Sequence, residues 1–302
     1  LEAVMEEAGA ALLCGPLLGS SVLAVAVLNA AGDRAAAESL LPPIAAGTSI
    51  AAAALTGSAG TWAPGGVEVA AQAGAGGGAV LSGRADYVIH AQSADVLLVL
   101  AEDAHGHSWY IARPADAAIT PLPTFDHTLR LARVEFSDAP ATPLGDPGAG
   151  WAIAERALDV ARVALAGEQA GGARRALDMT VDYAKTRVQF GRPIGSFQAI
   201  KHMAADLLLD AESAASAARH AAAQLADAAA DASLAIDLAA FACADAFVSV
   251  SAASIQMHGG IAFTWDHPAH LYLRRARADA QLLGASSYYR ERYVRGLEAQ
   301  PR

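Results

Sequence analysis

Long stretches without internal helix breakers fill the second half of the chain, and they limit its possible folds more than any other feature. The stretches that we predict to be helical are Trp151 to Arg187, Phe197 to about Leu225, Ala232 to about Met257 and two shorter segments after Pro268. Leucines and a helical period continue through the alanine-rich part, which argues against low-complexity disorder there. Long alanine-rich helices pack as antiparallel bundles, so we predict a C-terminal four-helix bundle over residues 146–302.

The middle of the chain has a different texture. Between residues 44 and 145 the sequence consists of short apolar or alternating runs separated by glycines, a pattern typical of strands. The predicted strands are Ser49 to Leu55, Val67 to Ala71, Tyr87 to Ala91, Asp95 to Ala101, Ser108 to Ala112 and Leu129 to Phe136. We interpret this region as a small antiparallel β-domain.

The first 43 residues form a short helical module, in which Gly15 and Pro16 separate two apolar stretches. The chain begins with Leu1 rather than methionine, so we expect further residues upstream and interpret the module as the remnant of a truncated helical region. The predicted fold class is therefore mainly α with a central β-domain.

Charge and cysteine content narrow the class of partner. The formal net charge is −10, and an acidic protein does not match the polyanionic surface of a nucleic acid or a membrane. The apolar run from Ser21 to Ala31 is too short to span a bilayer, and three glutamates precede it where a signal peptide would be basic. Cys14 and Cys243 lack the spacing of a disulfide framework or a zinc site. We expect a cytoplasmic protein without nucleic-acid or membrane partners.

A corner between two predicted helices carries the most informative polar residues. It reads RVQFGRPIGSFQ, where two glycines and a proline force a sharp turn and Arg187 and Arg192 lie beside Gln189 and Gln198. Such a corner can hold a phosphate, because arginine donates paired hydrogen bonds to phosphate oxygens and the next helix begins with free N–H groups. An ordinary corner with solvated arginines is the alternative, and composition alone favours it.

A pair of glycines, Gly259 and Gly260, follows the third long helix in the segment QMHGG. Paired glycines at a helix end are most often a C-cap, but they also allow a ligand to approach the backbone closely. Neither this segment nor the corner decides a function by itself.

Other chemical motifs are missing from the sequence. It contains no GxSxG, no P-loop and no GxGxxG that opens a helix. The histidine pairs His105/His107 and His267/His270 lack convincing metal-ligand spacing, so we predict no metal site.

Together the two segments resemble one family. The combination of RVQFGRPIGSFQAIKHMAAD and, one helical hairpin later, QMHGGIAFTWDHPAHLYLRRA resembles the acyl-CoA dehydrogenase family. Residues from Leu81 to Ile89 are also similar to the family's strand beside the flavin, and the order of helical module, β-domain and bundle is the family's order. The resemblance implies an FAD-dependent oxidoreductase that converts an acyl-CoA thioester to the 2-enoyl-CoA, with most of the N-terminal helical domain missing.

The resemblance also implies which residues face FAD. Those expected at the ADP part of an FAD bound mainly by a neighbouring subunit are Arg187, Gln189, Phe190, Ile194, Phe197 and Gln198, together with Gln256, Gly259 and Gly260. In the β-domain, Leu55 and Thr56 match positions that contact the isoalloxazine ring, and Tyr87 replaces the tryptophan stacked near it.

The family reaction needs a carboxylate that removes the α-proton while the β-hydrogen leaves as hydride to the flavin. The resemblance places the usual glutamate at Gly284, and the alternative used by a minority of members at Ala161. Neither residue can accept a proton. We therefore predict that the chain lacks the family's catalytic residue.

Neighbouring polar residues are poor substitutes for this base. The carboxylates nearest to Ala161 in its helix are Glu155, Asp159 and Glu168. We interpret them, and Asp279 before the loop at Gly284, as solvated or helix-pairing surface charges. Arg162 matches a family position near the active site, but an arginine cannot act as a base at neutral pH.

The missing base leaves three hypotheses. In the first, the chain is a subunit of an α2β2 heterotetramer whose homologous subunit supplies the base, as in actinobacterial enzymes for steroid side-chain CoA thioesters. In the second, it is a self-sufficient homo-oligomeric enzyme that uses a carboxylate at an unaligned position. In the third, it is a non-enzymatic scaffold that retains only the fold. The retained corner and glycine pair argue against the scaffold. The expected partners are an acyl-CoA thioester, the homologous subunit or a second copy, and an electron-transfer flavoprotein.

Overall fold

The structure is a computed structural model that describes residues 1–299, apart from the side chain of Ala75. Its helices are α1 (Glu2–Ala10), α2 (Leu17–Ala31), α3 (Arg34–Ala45), α4 (Gly150–Thr186), α5 (Gln198–Ala226), α6 (Ala232–His258), α7 (Ala269–Asp279) and α8 (Ser286–Glu298). Its strands are β1 (Ala51–Ala54), β2 (Val69–Ala73), β3 (Ala79–Ile89), β4 (Val96–Asp103), β5 (Gly106–Ala112), β6 (Ala117–Pro121), β7 (Leu131–Leu144), β8 (Val188–Gln189) and β9 (Arg192–Pro193). This order confirms a mainly α fold with a central β region.

The chain divides into two compact units. The helical unit comprises Leu1–Cys14, Phe125–Thr128 and residues 162–299, and the β unit comprises Gly15–Thr124 and Leu129–Ala161. The domain boundaries predicted at residues 43 and 145 differ from this division and stay predictions.

The β unit is built around a seven-stranded sheet in the order β1-β4-β2-β3-β7-β5, with β6 paired to β7. Most neighbouring strands are antiparallel, as predicted, whereas β1 runs parallel to β4 and pairs Ala51 with Val96. All four residues of β1 are buried, as expected for a parallel strand covered on both faces. The sequence did not predict β6, which pairs with β7 from Ala117 to Pro121.

Small residues set the packing of the helical unit. Buried alanines of α4, α5 and α6 form one core cluster. Helix α1 approaches α4 so closely that a Cβ at Gly9 would lie 1.9 Å from the carbonyl oxygen of Glu168, and one at Gly171 would lie 1.8 Å from that of Glu6. These glycines therefore permit backbone contact between two helices, which a larger residue would prevent.

One segment, Ala232–Phe263, is long and apolar enough to cross a membrane by length and composition, with a mean hydropathy of 1.8. Half of the window is buried inside the structure, and α6, which forms most of it, packs against α5, α7 and α8. The core helix of a helical bundle has the same properties, so the segment is only weak evidence for a membrane span.

Candidate functional site

The corner predicted between two long helices is a tight hairpin. Strands β8 and β9 pair antiparallel between the end of α4 and the start of α5. Phe190 has φ +52° and Gly191 has φ +75°, so two successive residues use the left-handed region, as in the tightest hairpin turns. The backbone N–H of Ile194 donates to the carbonyl of Arg187 at 2.8 Å and closes the hairpin.

The side chains of this corner are open to solvent. Phe190 is 91% exposed, and its ring meets that of Phe197 edge to face at 6.2 Å between centroids. The guanidinium carbon of Arg192 lies 4.0 Å from the Phe197 ring centroid. Among residues 1–299, no ion pair engages Arg187 or Arg192. The corner thus presents two uncommitted cations and an aromatic ring to whatever binds there.

The glycine pair after α6 is equally open. Gly259 has φ +67° and ψ −144°, a conformation essentially confined to glycine. No atom lies within 4 Å of the Cβ that would be added at Gly259 or Gly260, and Gln256 is exposed. Beyond the pair, the side chains of Phe263 and Trp265 are 78% and 72% exposed. A ligand or partner can therefore reach this backbone directly.

His258, which the sequence analysis did not single out as a site residue, directly precedes the glycine pair. It is buried, and its ring centroid lies 4.4 Å from that of Tyr183 and 4.3 Å from that of His267. Its Nδ1 lies 2.8 Å from the carbonyl oxygen of Ser254. Burial lowers the pKa of His258, so the ring is neutral at pH 7 and acts as packing.

The predicted flavin-ring positions of the β unit are mostly closed. Leu55 and Thr56 are buried, and the Thr56 hydroxyl donates to the carbonyl of Thr61 at 2.7 Å. The Asp86 N–H donates to the carbonyl of Thr56 at 2.8 Å. Tyr87 is 37% exposed and has φ +57°, so it alone of the three predicted residues presents its side chain to solvent.

Neighbouring atoms limit the space for a side chain at both positions predicted for the base. Ala161 is fully buried in α4. Gly284 lies in the loop between α7 and α8 with φ +128°, and Leu283 before it has φ +61°. A Cβ at Gly284 would lie 2.7 Å from the hydroxyl oxygen of Tyr289. The structure thus leaves no room for a side chain at position 284 unless Tyr289 moves.

Tyr289 is tied to this loop by polar contacts. Its hydroxyl donates to the carbonyl of Leu283, and Nε of Arg162 donates to the same hydroxyl oxygen at 3.0 Å. The Arg162 guanidinium carbon also lies 5.4 Å from the centre of the Tyr289 ring. Burial raises the pKa of Tyr289, although Arg162 opposes the shift. Tyr289 therefore keeps its proton at neutral pH.

Glu168 is not the surface charge that the sequence predicted. It is buried and pairs with Arg275, whose Nη1 donates to its Oε1, while Nε of Arg275 donates to Asp126 at 2.7 Å. The remaining donors of Arg275 reach the Thr128 hydroxyl at 2.7 Å and the carbonyl of Leu13 at 3.2 Å. The prediction failed because the partner arginine lies 107 residues away in sequence and supplies the charge that burial requires.

Asp279 is also buried, so its prediction as a surface charge was wrong as well. Its Oδ2 has no hydrogen-bond partner among residues 1–299. Burial first, and then the charge of Glu168, raise the pKa of Asp279 well above the usual aspartate range, although the charge of Arg275 opposes the shift. Helical periodicity could have revealed it, because Asp279 continues the buried stripe of Ala269, Tyr272 and Ala276. Glu155, in contrast, is exposed as predicted.

Comparisons with known proteins agree with this fold. Residues 148–298 match the family described as acyl-CoA dehydrogenase, C-terminal domain. Acyl-CoA dehydrogenase IpdE2 from Mycobacterium tuberculosis is 37% identical over 281 residues, which cover 93% of this chain and 72% of that protein. The chain belongs to the acyl-CoA dehydrogenase family. The sequence prediction of family and enzyme class is therefore confirmed.

Two solved structures match most or all of the chain. A chain of the ChsE4-ChsE5 complex from Mycobacterium tuberculosis has a TM-score of 0.90 and 30% identity, covering 100% of this chain and 80% of that one. A chain in the structure of the electron transferring flavoprotein of Acidaminococcus fermentans has a TM-score of 0.84 and 30% identity, covering 89% and 73%. The acyl-CoA dehydrogenase fold is therefore shown, and members of the family are FAD-dependent oxidoreductases that act on CH–CH bonds.

Proposed function

We propose that this chain is the subunit of an FAD-dependent acyl-CoA dehydrogenase that contributes a flavin-facing surface but no catalytic base. The reaction is the α,β-dehydrogenation of an acyl-CoA thioester, and a homologous subunit supplies the carboxylate. The observation that carries the proposal is at Gly284, which has no carboxyl group and where an added Cβ would lie 2.7 Å from the Tyr289 hydroxyl oxygen. Substitution of the base and loss of its space are combined at this one position.

The open side chains of the helical unit fit the ADP part of FAD. Arg187 and Arg192 are cations without ion-pair partners among the described residues, and charge-assisted hydrogen bonds from arginine suit pyrophosphate oxygens. The exposed ring of Phe190 offers a stacking surface for a base, and the backbone at Gly259 is free of side chains. When bound, FAD accepts the hydride that leaves the β-carbon of the thioester.

The β unit offers less to a flavin ring. Tyr87 presents part of its ring to solvent, whereas the Thr56 hydroxyl is already committed to the carbonyl of Thr61. Leu55 and Thr56 are buried, so we propose that they support a surface near the ring without donating to it. The stronger cofactor contacts are thus expected from the helical unit.

The hetero-oligomer is favoured over a self-sufficient enzyme by the state of the nearest carboxyl group. Asp279 is the carboxyl closest in sequence to Gly284, and it is buried with a raised pKa. A catalytic base must lie within hydrogen-bond reach of the substrate's α-proton, and a carboxyl group that is only 2% exposed is closed off from a bound substrate. The similarity to a chain of the two-component ChsE4-ChsE5 complex supports a homologous partner, and the second similarity supports an electron-transfer flavoprotein as acceptor.

The proposal is tested by visible spectra of this chain purified alone and after co-expression with a homologous acyl-CoA dehydrogenase subunit. Straight-chain and steroid side-chain CoA thioesters are then added anaerobically, and flavin absorbance is followed. We expect bleaching only in the co-purified complex. A lone chain that holds FAD and bleaches would establish the self-sufficient enzyme, and a complex that holds no flavin would establish the scaffold.

A further inference from the structure

In the loop between α7 and α8, Gly284 has no carboxyl group, and the Tyr289 side chain occupies the space beside its Cα. A Cβ at Gly284 would meet the Tyr289 hydroxyl oxygen at 2.7 Å and two of its ring carbons at 3.0 Å. Real Cβ atoms essentially never come closer than about 3 Å to another heavy atom in a packed interior. A side chain at position 284 therefore requires either the tyrosine or the loop backbone to move.

Displacing Tyr289 is opposed by contacts on both sides of its hydroxyl. The hydroxyl donates to Leu283 and accepts from Arg162, and the side chain is only 2% exposed. Leu283 itself is buried and left-handed, so the loop cannot shift without breaking the same contacts. Moving the ring would leave the Arg162 Nε and the Leu283 carbonyl without these partners.

Tyr289 does not replace the missing base. Its proton is already donated to the Leu283 carbonyl, and burial raises its pKa. Arg162 occupies the acceptor side of the hydroxyl. A phenol that holds its proton in this way fills the position but cannot remove an α-proton at neutral pH.

The space behind the ring is equally unsuited to a carboxylate. A cavity of about 10 Å³, bounded among others by Arg162, Gln169 and Asp279, is no larger than a single water needs. Asp279 and Glu168 already place two carboxyl groups at this end of the helical unit. A carboxylate buried there as well would lose solvation, and this loss opposes its ionisation.

We infer that Tyr289 is a fixed plug at the position where the family carries its base, so that returning a glutamate to position 284 does not return proton abstraction to this chain. The inference rests on the proposed function in taking Gly284 as the base position. Tyr289 fills space in this account and takes no part in catalysis, and restoring the glutamate alone does not make the chain catalytic.

A double-mutant cycle in thermal unfolding tests the plug without any catalysis. In the wild-type background, Gly284→Ala introduces both backbone strain and a steric clash with Tyr289. In a Tyr289→Ala background the clash is absent and only the backbone strain remains. We expect Gly284→Ala to lower the melting temperature by about 5 °C or more beside Tyr289, and by less than about half of that in the Tyr289→Ala background. Equal losses in both backgrounds would overturn the inference.

The cycle remains decisive if one variant folds poorly. Should Gly284→Ala fail to accumulate as folded protein, recovery of folded protein in the double variant is the same coupling in another form. Failure of the double variant to recover, with Tyr289→Ala folded, counts against the plug.

The second test uses the co-purified complex in which the homologous subunit's catalytic glutamate has been changed to glutamine. Gly284→Glu is introduced into this chain, and flavin bleaching is followed with butyryl-CoA and octanoyl-CoA. We expect no gain over the same complex with glycine at position 284. A gain of about tenfold or more would show that the position is open.

The two failures are distinguishable. If the wild-type chain alone bleaches with these thioesters, the proposed function fails, and the double-mutant cycle still decides whether Tyr289 fills position 284.

Discussion

Two ends of the helical unit contrast sharply in what surrounds their glycines. At the corner and the glycine pair, side chains are exposed, two arginines lack ion-pair partners among the described residues, and Gly259 faces open space. At the loop between α7 and α8, Gly284 meets a buried tyrosine. The backbone and side chains of the first end are open to solvent, whereas the space beside Gly284 at the second end is occupied by Tyr289.

Glycine therefore has opposite meanings at the two ends. Both Gly259 and Gly284 have positive φ, at +67° and +128°. Only the neighbours differ, since nothing lies within 4 Å of a Cβ at Gly259, and the Tyr289 hydroxyl lies 2.7 Å from one at Gly284. The sequence shows the residue type but not the neighbour.

We call the corner and the glycine pair the open end, and the loop between α7 and α8 with its neighbouring buried charges the closed end. The largest effect is expected from replacing Arg275 at the closed end. Arg275→Met leaves the carboxylates of Glu168 and Asp126 buried without their partner. We expect the free energy of unfolding to fall by about 3–5 kcal/mol, measured by urea denaturation. Arg277→Met, at an exposed position of the same helix, is the matched control and should change it by no more than about 0.5 kcal/mol. Equal effects would show that the buried network does not stabilise the fold.

Substitutions at the open end should weaken flavin affinity and leave the stability of the fold unchanged. Arg187→Met removes an exposed cation without an ion-pair partner in residues 1–299. Loss of a charge-assisted hydrogen bond to a phosphate predicts flavin affinity of the complex about 10- to 100-fold weaker, with an unchanged unfolding midpoint. Arg295→Met, an exposed arginine on α8, should leave flavin affinity unaltered. Normal flavin binding by Arg187→Met would remove the corner from the cofactor site.

The acid in the closed end predicts a pH dependence. Because the pKa of Asp279 is raised in the folded chain, the folded state binds this proton more tightly than the unfolded state. Stability linked to it is complete below the unfolded pKa of about 4 and falls as pH rises towards the folded pKa. Asp279→Asn lacks this loss, so its stability relative to wild type should rise as the pH is raised from about 4 to about 8.

Urea denaturation across that pH range measures the difference, and Asp227→Asn serves as the control at an exposed position after α5. A flat difference for Asp279→Asn would mean that folding does not raise the pKa of Asp279. The charge of Arg275 would then offset the effect of burial on Asp279.

Local pattern accounts for most of what the sequence predicted correctly. The first bundle helix was expected over Trp151 to Arg187 and spans Gly150–Thr186, because a helical period and breakers at both ends define it. Strand β6 was missed, since its five residues end in a proline and follow a turn at Pro114–Asp116. Its identity comes from pairing with β7, which no local pattern contains.

The candidate site was predictable to the same extent. Motif resemblance located the corner, the glycine pair and Gly284, because these depend on residues close in sequence. The buried charges did not follow, since Asp126, Glu168 and Arg275 meet only through tertiary packing. The plug at Tyr289 also required coordinates, because a tyrosine five residues after a glycine has no fixed meaning until the loop between them is closed.

The central claim is that this chain contributes to flavin binding but does not remove the substrate's α-proton. The most direct test is single-turnover flavin reduction in a complex whose homologous subunit carries glutamine in place of its catalytic glutamate. An acyl-CoA thioester that bleaches the unmodified complex is added anaerobically, and flavin content is measured first. We predict full flavin content and at least a thousandfold loss of bleaching rate, or about 4 kcal/mol of lost transition-state stabilisation, because this chain offers no base. Bleaching near the unmodified rate would mean that this chain supplies the carboxylate, and would contradict the account.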